Sequence, residues 1–291
     1  METTELLKKV RKIEIKTRGL TNHIFSGEYH SAFKGKGMTF SEVREYQPGD
    51  PTRLIDWNVT ARFNHPYVKV FEEERELTMI LIVDVSGSQQ FGTNVQFKNE
   101  LITELCAVLS FSAIQNNDKT GIIFFSDQIE KFIPPKKGKS HILRIIRELI
   151  EFTPKHKGTD LSSALRFFTN AIKKRSIAFV ISDFADAKFE DALKVAARKH
   201  DVVAIRVADQ REKSLPDIGM AKFVDNETGK SIWVDTSDAG NRKIMEKLSH
   251  GNEKKLTDIF TRSGVDNVTL FTGQSYVRPL MSLFKKRERR F

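Results

Sequence analysis

Apolar runs and polar intervals alternate along most of the chain. Leu77-Thr-Met-Ile-Leu-Ile-Val83 is almost unbroken apolar, the pattern of a strand covered on both faces in a parallel sheet. Gly121-Ile-Ile-Phe-Phe-Ser126 and Ser176-Ile-Ala-Phe-Val-Ile-Ser182 share this character, and 201–207 and 267–271 predict further strands. Between them the apolar period lengthens to that of a helix. Phe97, Leu101, Leu105, Val108, Leu109 and Ser112 mark one face of a helix over roughly 94 to 116, closed by Asn117-Asp118. Ser140 caps a predicted helix carrying Ile142, Ile145, Leu149 and Ile150, and Asp160 opens another carrying Leu161, Ala164, Leu165 and Phe168. A helix near 187–199 and a long one broken near Gly251 complete the pattern. Asp127-Gln128 turns the chain into an antiparallel edge strand at 129–134, a place that tolerates proline. Residues 209–235 read as an inserted hairpin, with Asn226 and Gly229 between Phe223-Val224 and Ile232-Val234. Strands alternating with helices predict an α/β fold, a doubly wound, mostly parallel sheet of Rossmann type.

The first quarter breaks this rhythm. Leu6, Leu7, Val10 and Ile13 give an amphipathic helix over residues 4–18, and 26–39, rich in Gly, Ser, His and Lys, predicts short irregular strands. Pro48-Gly49 is a turn, because proline presets one backbone angle and glycine accepts a positive one. Arg44, Asp50, Arg53, Asp56 and Arg62 alternate in sign and predict ion pairs around a buried Trp57. Residues 1–75 are therefore expected to form a helix plus a small β-containing unit. Residues 76–291 are expected to form the sheet domain, ending in a basic C-terminal tail.

Composition narrows the class. With 291 residues, 39% hydrophobic and 30% charged, the chain can build one substantial core and a smaller domain. No apolar run approaches membrane length, so no transmembrane segment is expected, and Met-Glu-Thr-Thr-Glu lacks the basic and apolar regions of a signal peptide. Cytoplasmic localisation is the expectation. Cys106 is the only cysteine and lies in an apolar helix, where a buried structural thiol is expected. The net charge of +10 lies largely near the ends, at Lys8-Lys9-Val-Arg11-Lys12 and Lys285-Lys286-Arg287-Glu-Arg289-Arg290, which read as solvated tails. Without zinc-finger spacing, an aromatic RNA-binding signature or a helix-turn-helix, nucleic-acid binding is not expected, and an acidic protein surface is the expected target.

Chemistry gathers where the first buried strand ends, at Asp84-Val-Ser86-Gly-Ser88. In open α/β sheets ligands sit beyond the carboxyl ends of the strands. Carboxylate and hydroxyl oxygens are hard ligands suited to Mg²⁺; the same residues also suit the cap of a following helix. Lys136-Lys-Gly138-Lys139-Ser140 imitates a phosphate-binding loop but has Ile133 in place of its first glycine. No Gly-x-Ser-x-Gly turn surrounds Ser86 or Ser88, and the seven histidines have no ligand spacing.

Asp84-x-Ser86-x-Ser88, Gly158-Thr159-Asp160 and Ser182-Asp183 together resemble the metal-ion-dependent adhesion site of von Willebrand factor A domains, over about residues 76–275. By that resemblance Asp84, Ser86 and Ser88 form the first metal loop, Thr159 the second and Asp183 the third. Mg²⁺ is the usual ion, and the strand order is 3-2-1-4-5-6. Phe184 departs from the glycine that often follows the third-loop aspartate. The segment Arg44-Glu-Tyr46-x-Pro48-Gly49-Asp50-x-x-Arg53-x-Ile55-Asp56-Trp57-x-x-x-Ala61-Arg62 resembles the signature of the bacterial "domain of unknown function 58" family. Members combine it with a von Willebrand A-like domain and are commonly encoded beside MoxR-like AAA+ ATPases. The resemblance implies an adaptor or co-chaperone, not an enzyme, that works with such an ATPase or a client presenting Asp or Glu. Two carboxylates and three neutral hydroxyls would leave the ion electrophilic enough for such a carboxylate to replace a water. The alternative, a metal-dependent phosphoester hydrolase, lacks an identifiable general base.

Overall fold

The computed structural model describes residues 39–72, 77–87, 92–93, 96–186, 188–212, 216–224 and 231–289, together with Val10, Arg11, Ile13, Glu14, Thr17 and Tyr29. The chain divides into two compact units, Lys34–Glu76 and Met1–Phe33 with Leu77–Phe291. Ser88, the turn at Asn226 and Gly229, and nearly all of the irregular strands predicted over 26–39 lie outside the described residues. Of the helix predicted over 4–18, the described residues are helical, and Val10 packs with Ala107, Ile142 and Ile146.

In the smaller unit, β1 (Thr39–Glu45) pairs antiparallel with a later strand through a helix α1 (Trp57–Phe63) that leads into β2 (Tyr67–Glu72). Asp56 caps α1 by accepting from Asn58 N and Val59 N at 3.0 and 3.3 Å. The predicted turn holds Gly49 at φ 110°, and Asp50 fixes it by accepting from Gln47 N at 2.9 Å and from both Arg44 guanidinium nitrogens at 2.9 and 2.8 Å. Lys69 pairs with Asp56 at 3.4 Å. Trp57, however, is 69% exposed, which corrects the expectation of a buried tryptophan. It opens a helix of seven residues, none of them buried, in a unit whose described residues form a sheet of two strands. So short a segment cannot enclose an indole.

The larger unit is built on a six-stranded sheet. In chain order its elements are β3 (Thr78–Asp84), β4 (Gly92–Thr93), β5 (Gln96–Phe97), α2 (Lys98–Gln115), β6 (Lys119–Phe125), β7 (Ile129–Lys136), α3 (Lys139–Glu151), α4 (Leu161–Ala171), β8 (Ile177–Ser182), α5 (Glu190–Lys199), β9 (Asp201–Ala208), β10 (Met220–Val224), β11 (Ser231–Asp235), α6 (Ala239–Ser263), β12 (Asp266–Phe271) and α7 (Val277–Glu288). The sheet order is β7-β6-β3-β8-β9-β12, all parallel except the β7 edge, as the resemblance implied. β3 is central, and its side chains alternate between two cores. Met79, Leu81 and Val83 face Leu101, Leu105 and Leu109 of α2. Ile80 and Ile82 face Leu161, Leu165 and Phe168 of α4 and Leu193 of α5. Each such buried side chain contributes roughly 1.5–3 kcal/mol, so these two layers set the position of the strand ends. A Cβ on Gly121 would lie 2.9 Å from Pro135 N and 3.0 Å from Ile133 O, so only glycine admits β7 against β6 at this bulge.

Three element boundaries differ from expectation. α6 runs without a break through Gly251, because a lone glycine costs a helix only about 1 kcal/mol and Leu256 and Phe260 anchor it to the core. α3 begins at Lys139 behind Gly138, not at a Ser140 cap. The basic C-terminal run is not wholly a solvated tail: Lys285–Glu288 close α7, and the buried Arg287 donates to Asp266 and Asp201 at 2.7 and 2.6 Å. Cys106 is buried, as expected, and burial pushes its thiol pKa far up. Among the described residues no helix is long and apolar enough to cross a membrane.

Candidate metal centre

The parallel registers of β3 with β6 and β8 bring Asp84, Phe125 and Ser182 to one edge of the sheet. Two loops leave from there, after β3 and after β8, and the loop joining α3 to α4 is held beside them. The loop after β3 is tied to the second by Gly87 N donating to Lys157 O at 2.9 Å. The second loop, with Thr159, is tied to the end of β6 by Asp160 N donating to Ser126 O at 2.8 Å. Asp160 then caps α4 through Ser163 N at 2.9 Å, so Thr159 is held between two anchored neighbours. The third loop, after β8, is fastened to α4 by Leu161 N donating to Asp186 Oδ2 at 3.2 Å.

Asp84 is 1% exposed. Its Oδ1 accepts from Ser86 N at 2.9 Å and its Oδ2 from Ser182 Oγ at 2.7 Å. Burial, and after it the charge of Asp183, pushes the carboxyl up to about 6, against the pull of its hydroxyl and amide donors. Asp183 accepts from Ala185 N at 3.2 Å and from Lys98 Nζ at 3.3 Å. Lys98 also reaches Glu212 Oε1 at 2.6 Å, in the short 3-10 turn after β9. Burial opposes its charge, but Asp183 and Glu212 hold its pKa above the ordinary lysine value.

The residue after Asp183 has a distinctive backbone. Phe184 lies at φ 58°, the left-handed region that favours glycine, and Phe184 N donates to Ser182 Oγ at 3.0 Å. Its ring is buried against Phe189 and Phe260 at centroid distances of 5.6 and 5.1 Å. The loop therefore takes the conformation a glycine would give it, and aromatic packing offsets the strain.

The structure thus gathers Asp84, Ser86, Thr159 and Asp183 in adjoining loops, while Ser88 lies outside the described residues. Lys98 and Glu212 join the site without having been singled out by the sequence, and Ser182, quoted there only as the residue before Asp183, proves to donate to Asp84. A signal existed for Lys98: it stands three and seven residues before Leu101 and Leu105 and so falls on the apolar face of its helix. Among the described residues no cluster of three His, Cys, Asp or Glu side chains could hold a metal. A cation here would need hydroxyl oxygens besides the two carboxylates. The donors fit that requirement, being oxygens only, with two like charges near each other at a buried strand end, where a divalent ion would relieve their repulsion.

Residues 42–255 match the family described as "Protein of unknown function DUF58". An uncharacterized protein of Mycobacterium tuberculosis (strain ATCC 25618 / H37Rv) is 30% identical over 232 residues, 79% of this chain and 73% of that protein. Among solved structures, an aerotolerance-related membrane protein from Bacteroides fragilis NCTC 9343 is similar with a TM-score of 0.50 at 15% identity, over 74% of this chain and 100% of that one. The SpRpn10 VWA domain is similar with a TM-score of 0.36 at 11% identity, over 72% of this chain and 94% of that one. The family match takes in both the Arg44–Arg62 segment and the loops bearing Asp84, Thr159 and Asp183, and the chain belongs to the DUF58 family, with an α/β domain built on a mostly parallel sheet.

Proposed function

We propose that this protein is a metal-dependent protein-binding adaptor or co-chaperone whose site, Asp84, Ser86, Ser88, Thr159 and Asp183, holds Mg²⁺ or another divalent cation and receives an Asp or Glu carboxylate from a partner. A MoxR-like AAA+ ATPase, or a client of one, is the partner that the family resemblance suggests. The observation that carries the reading is the buried Asp84 carboxylate, raised to about 6 by burial and by Asp183, at the carboxyl ends of adjacent parallel strands. When bound, the cation supplies an electrophilic position at which a carboxylate oxygen can replace a water. The chain's own residues prepare that position. Ser86 N and Ser182 Oγ orient Asp84, and Ala185 N orients Asp183. Hydroxyls at Ser86, Ser88 and Thr159 add oxygen donors without adding charge. Lys98 is kept protonated by its carboxylates and so does not serve as a base for hydrolysis.

The test is retention of a purified MoxR-like ATPase on the immobilised protein, with p-nitrophenyl phosphate turnover measured in parallel. Retention in Mg²⁺, release by EDTA and loss in Asp84→Ala are expected, with no turnover above that variant. Retention that is insensitive to EDTA and equal in both proteins overturns the adaptor reading. Metal-dependent turnover abolished by Asp84→Ala replaces it with the hydrolase.

A further inference from the structure

Lysine is among the residues least often buried, because its ammonium gives up strong hydration. Lys98 is nonetheless only 1% exposed, on the apolar face of α2. Its ammonium lies between two carboxylates on separate loops, Asp183 Oδ2 at 3.3 Å and Glu212 Oε1 at 2.6 Å. Glu212 is itself anchored, since its Oε2 accepts from Asp209 N at 3.3 Å.

We propose that Lys98 is the resident counter-cation of the metal centre, competing with a divalent ion for Asp183 and so setting its affinity, while Glu212 draws the ammonium away. This rests on the metal-site reading above. Asp183 is the carboxylate that reading assigns to the third metal loop, so the ammonium and the ion would share one acceptor. The shorter contact is to Glu212, outside the ligand set, which gives the ammonium somewhere to remain when Asp183 turns to a metal. A lysine suits this role because its charge is a point on a flexible stem, unlike the planar fork of arginine. The charges also close. Asp84, Asp183 and Glu212 ionised against one ammonium leave two negative charges, the complement of a divalent ion.

The two partners of the ammonium therefore predict opposite effects. Lys98→Met removes the rival positive charge and tightens binding. Glu212→Gln removes the competing acceptor, leaves the ammonium to Asp183 and weakens binding. Like charges a few ångströms apart at a partly buried site interact strongly enough that each change should reach about tenfold.

The measurement is calorimetric titration of Mn²⁺ and Mg²⁺ into the full chain stripped of metal, for wild type, Lys98→Met and Glu212→Gln, with thermal melting of each. The expected order of affinity is Lys98→Met, then wild type, then Glu212→Gln. Binding by Lys98→Met alone also supports the proposal, as the ammonium would then hold the position outright. Equal affinities in all three overturn it and leave the metal site standing, and so does weaker binding by Lys98→Met, which would make the lysine a positioning residue. Should Lys98→Met fail to fold, Glu212→Gln decides alone, because Glu212 is a third exposed in a short turn; wild-type affinity there overturns the proposal. No binding by wild type or by Lys98→Met overturns this proposal and the metal-site reading together.

Discussion

Replacing Asp84 by asparagine should stabilise the metal-free protein while abolishing its response to metal. Asp84 is buried, and burial followed by the Asp183 charge raises its pKa from 3.8 to about 6. Above pH 6 the carboxylate is ionised in both folded and unfolded chains, and the folded state bears the full penalty. That rise corresponds to about 3 kcal/mol. As pH falls from 6 towards 4 the folded protein takes up the proton first, and the penalty disappears. Asparagine keeps the shape and removes the charge, but it accepts only one of the two hydrogen bonds that now come from Ser86 N and Ser182 Oγ, at a loss of about 1 kcal/mol. A net gain of about 2 kcal/mol at pH 7 should raise the melting temperature in EDTA by roughly 4–8 °C. At about ten times its dissociation constant, Mg²⁺ adds about 1.4 kcal/mol to wild type and nothing to the variant, so the gap narrows. Thermal and urea melts at pH 7 and pH 5, with EDTA and with Mg²⁺, read all of this. An Asp84→Asn protein less stable than wild type in EDTA at pH 7, or an advantage unchanged at pH 5, would refute the reasoning.

Burial, then Lys199 and Arg175, depresses the His200 pKa from 6.5 to about 4; this group's contribution is therefore complete above pH 6.5 and is lost as pH falls towards 4, by about 3 kcal/mol. Urea melts across that range should show His200→Gln with a flatter profile than wild type, and parallel profiles would contradict it. Phe184→Gly relieves a left-handed backbone but deletes a buried ring, so a loss of about 3–5 kcal/mol less about 1 for strain leaves the protein roughly 2–4 kcal/mol less stable. An equally stable variant in urea would show that the ring does not hold the third loop. Arg287→Met leaves Asp201 and Asp266 facing each other near the first ends of β9 and β12, and should cost about 3 kcal/mol in the same assay; a change below about 1 kcal/mol would mean that water screens the pair.

Most of the sheet was legible because a strand covered on both faces has to be apolar throughout, and the runs ending at Val83, Phe125 and Ser182 have no other use. The antiparallel edge was legible from Asp127-Gln128 and the prolines that follow. Asp84 and Asp183 could be grouped because strand ends of one parallel sheet share an edge, whereas Thr159, between α3 and α4, joined them through the resemblance alone. The partners of those acids were harder to find. Glu212 meets Lys98 across the sheet edge from a far-removed part of the sequence, and local pattern does not encode that pairing. The left-handed Phe184 was hidden for a related reason, since only tertiary packing on Phe189 and Phe260 makes such a backbone tolerable for a phenylalanine. Trp57 was misjudged because an indole among alternating charges suggests a core, whereas the helix it opens buries none of its residues. At Gly251 a residue that breaks isolated helices was overruled by a helix long enough to absorb it.

The central claim is that Asp84 and Asp183 hold a divalent cation together with Ser86, Ser88 and Thr159. Calorimetric titration of Mn²⁺ into wild type, Asp84→Ala and Asp183→Ala, with circular dichroism to confirm that each is folded, tests it most directly. One saturable site per wild-type chain, reversed by EDTA and absent from both folded variants, is the predicted result. Identical titrations in all three proteins would contradict it.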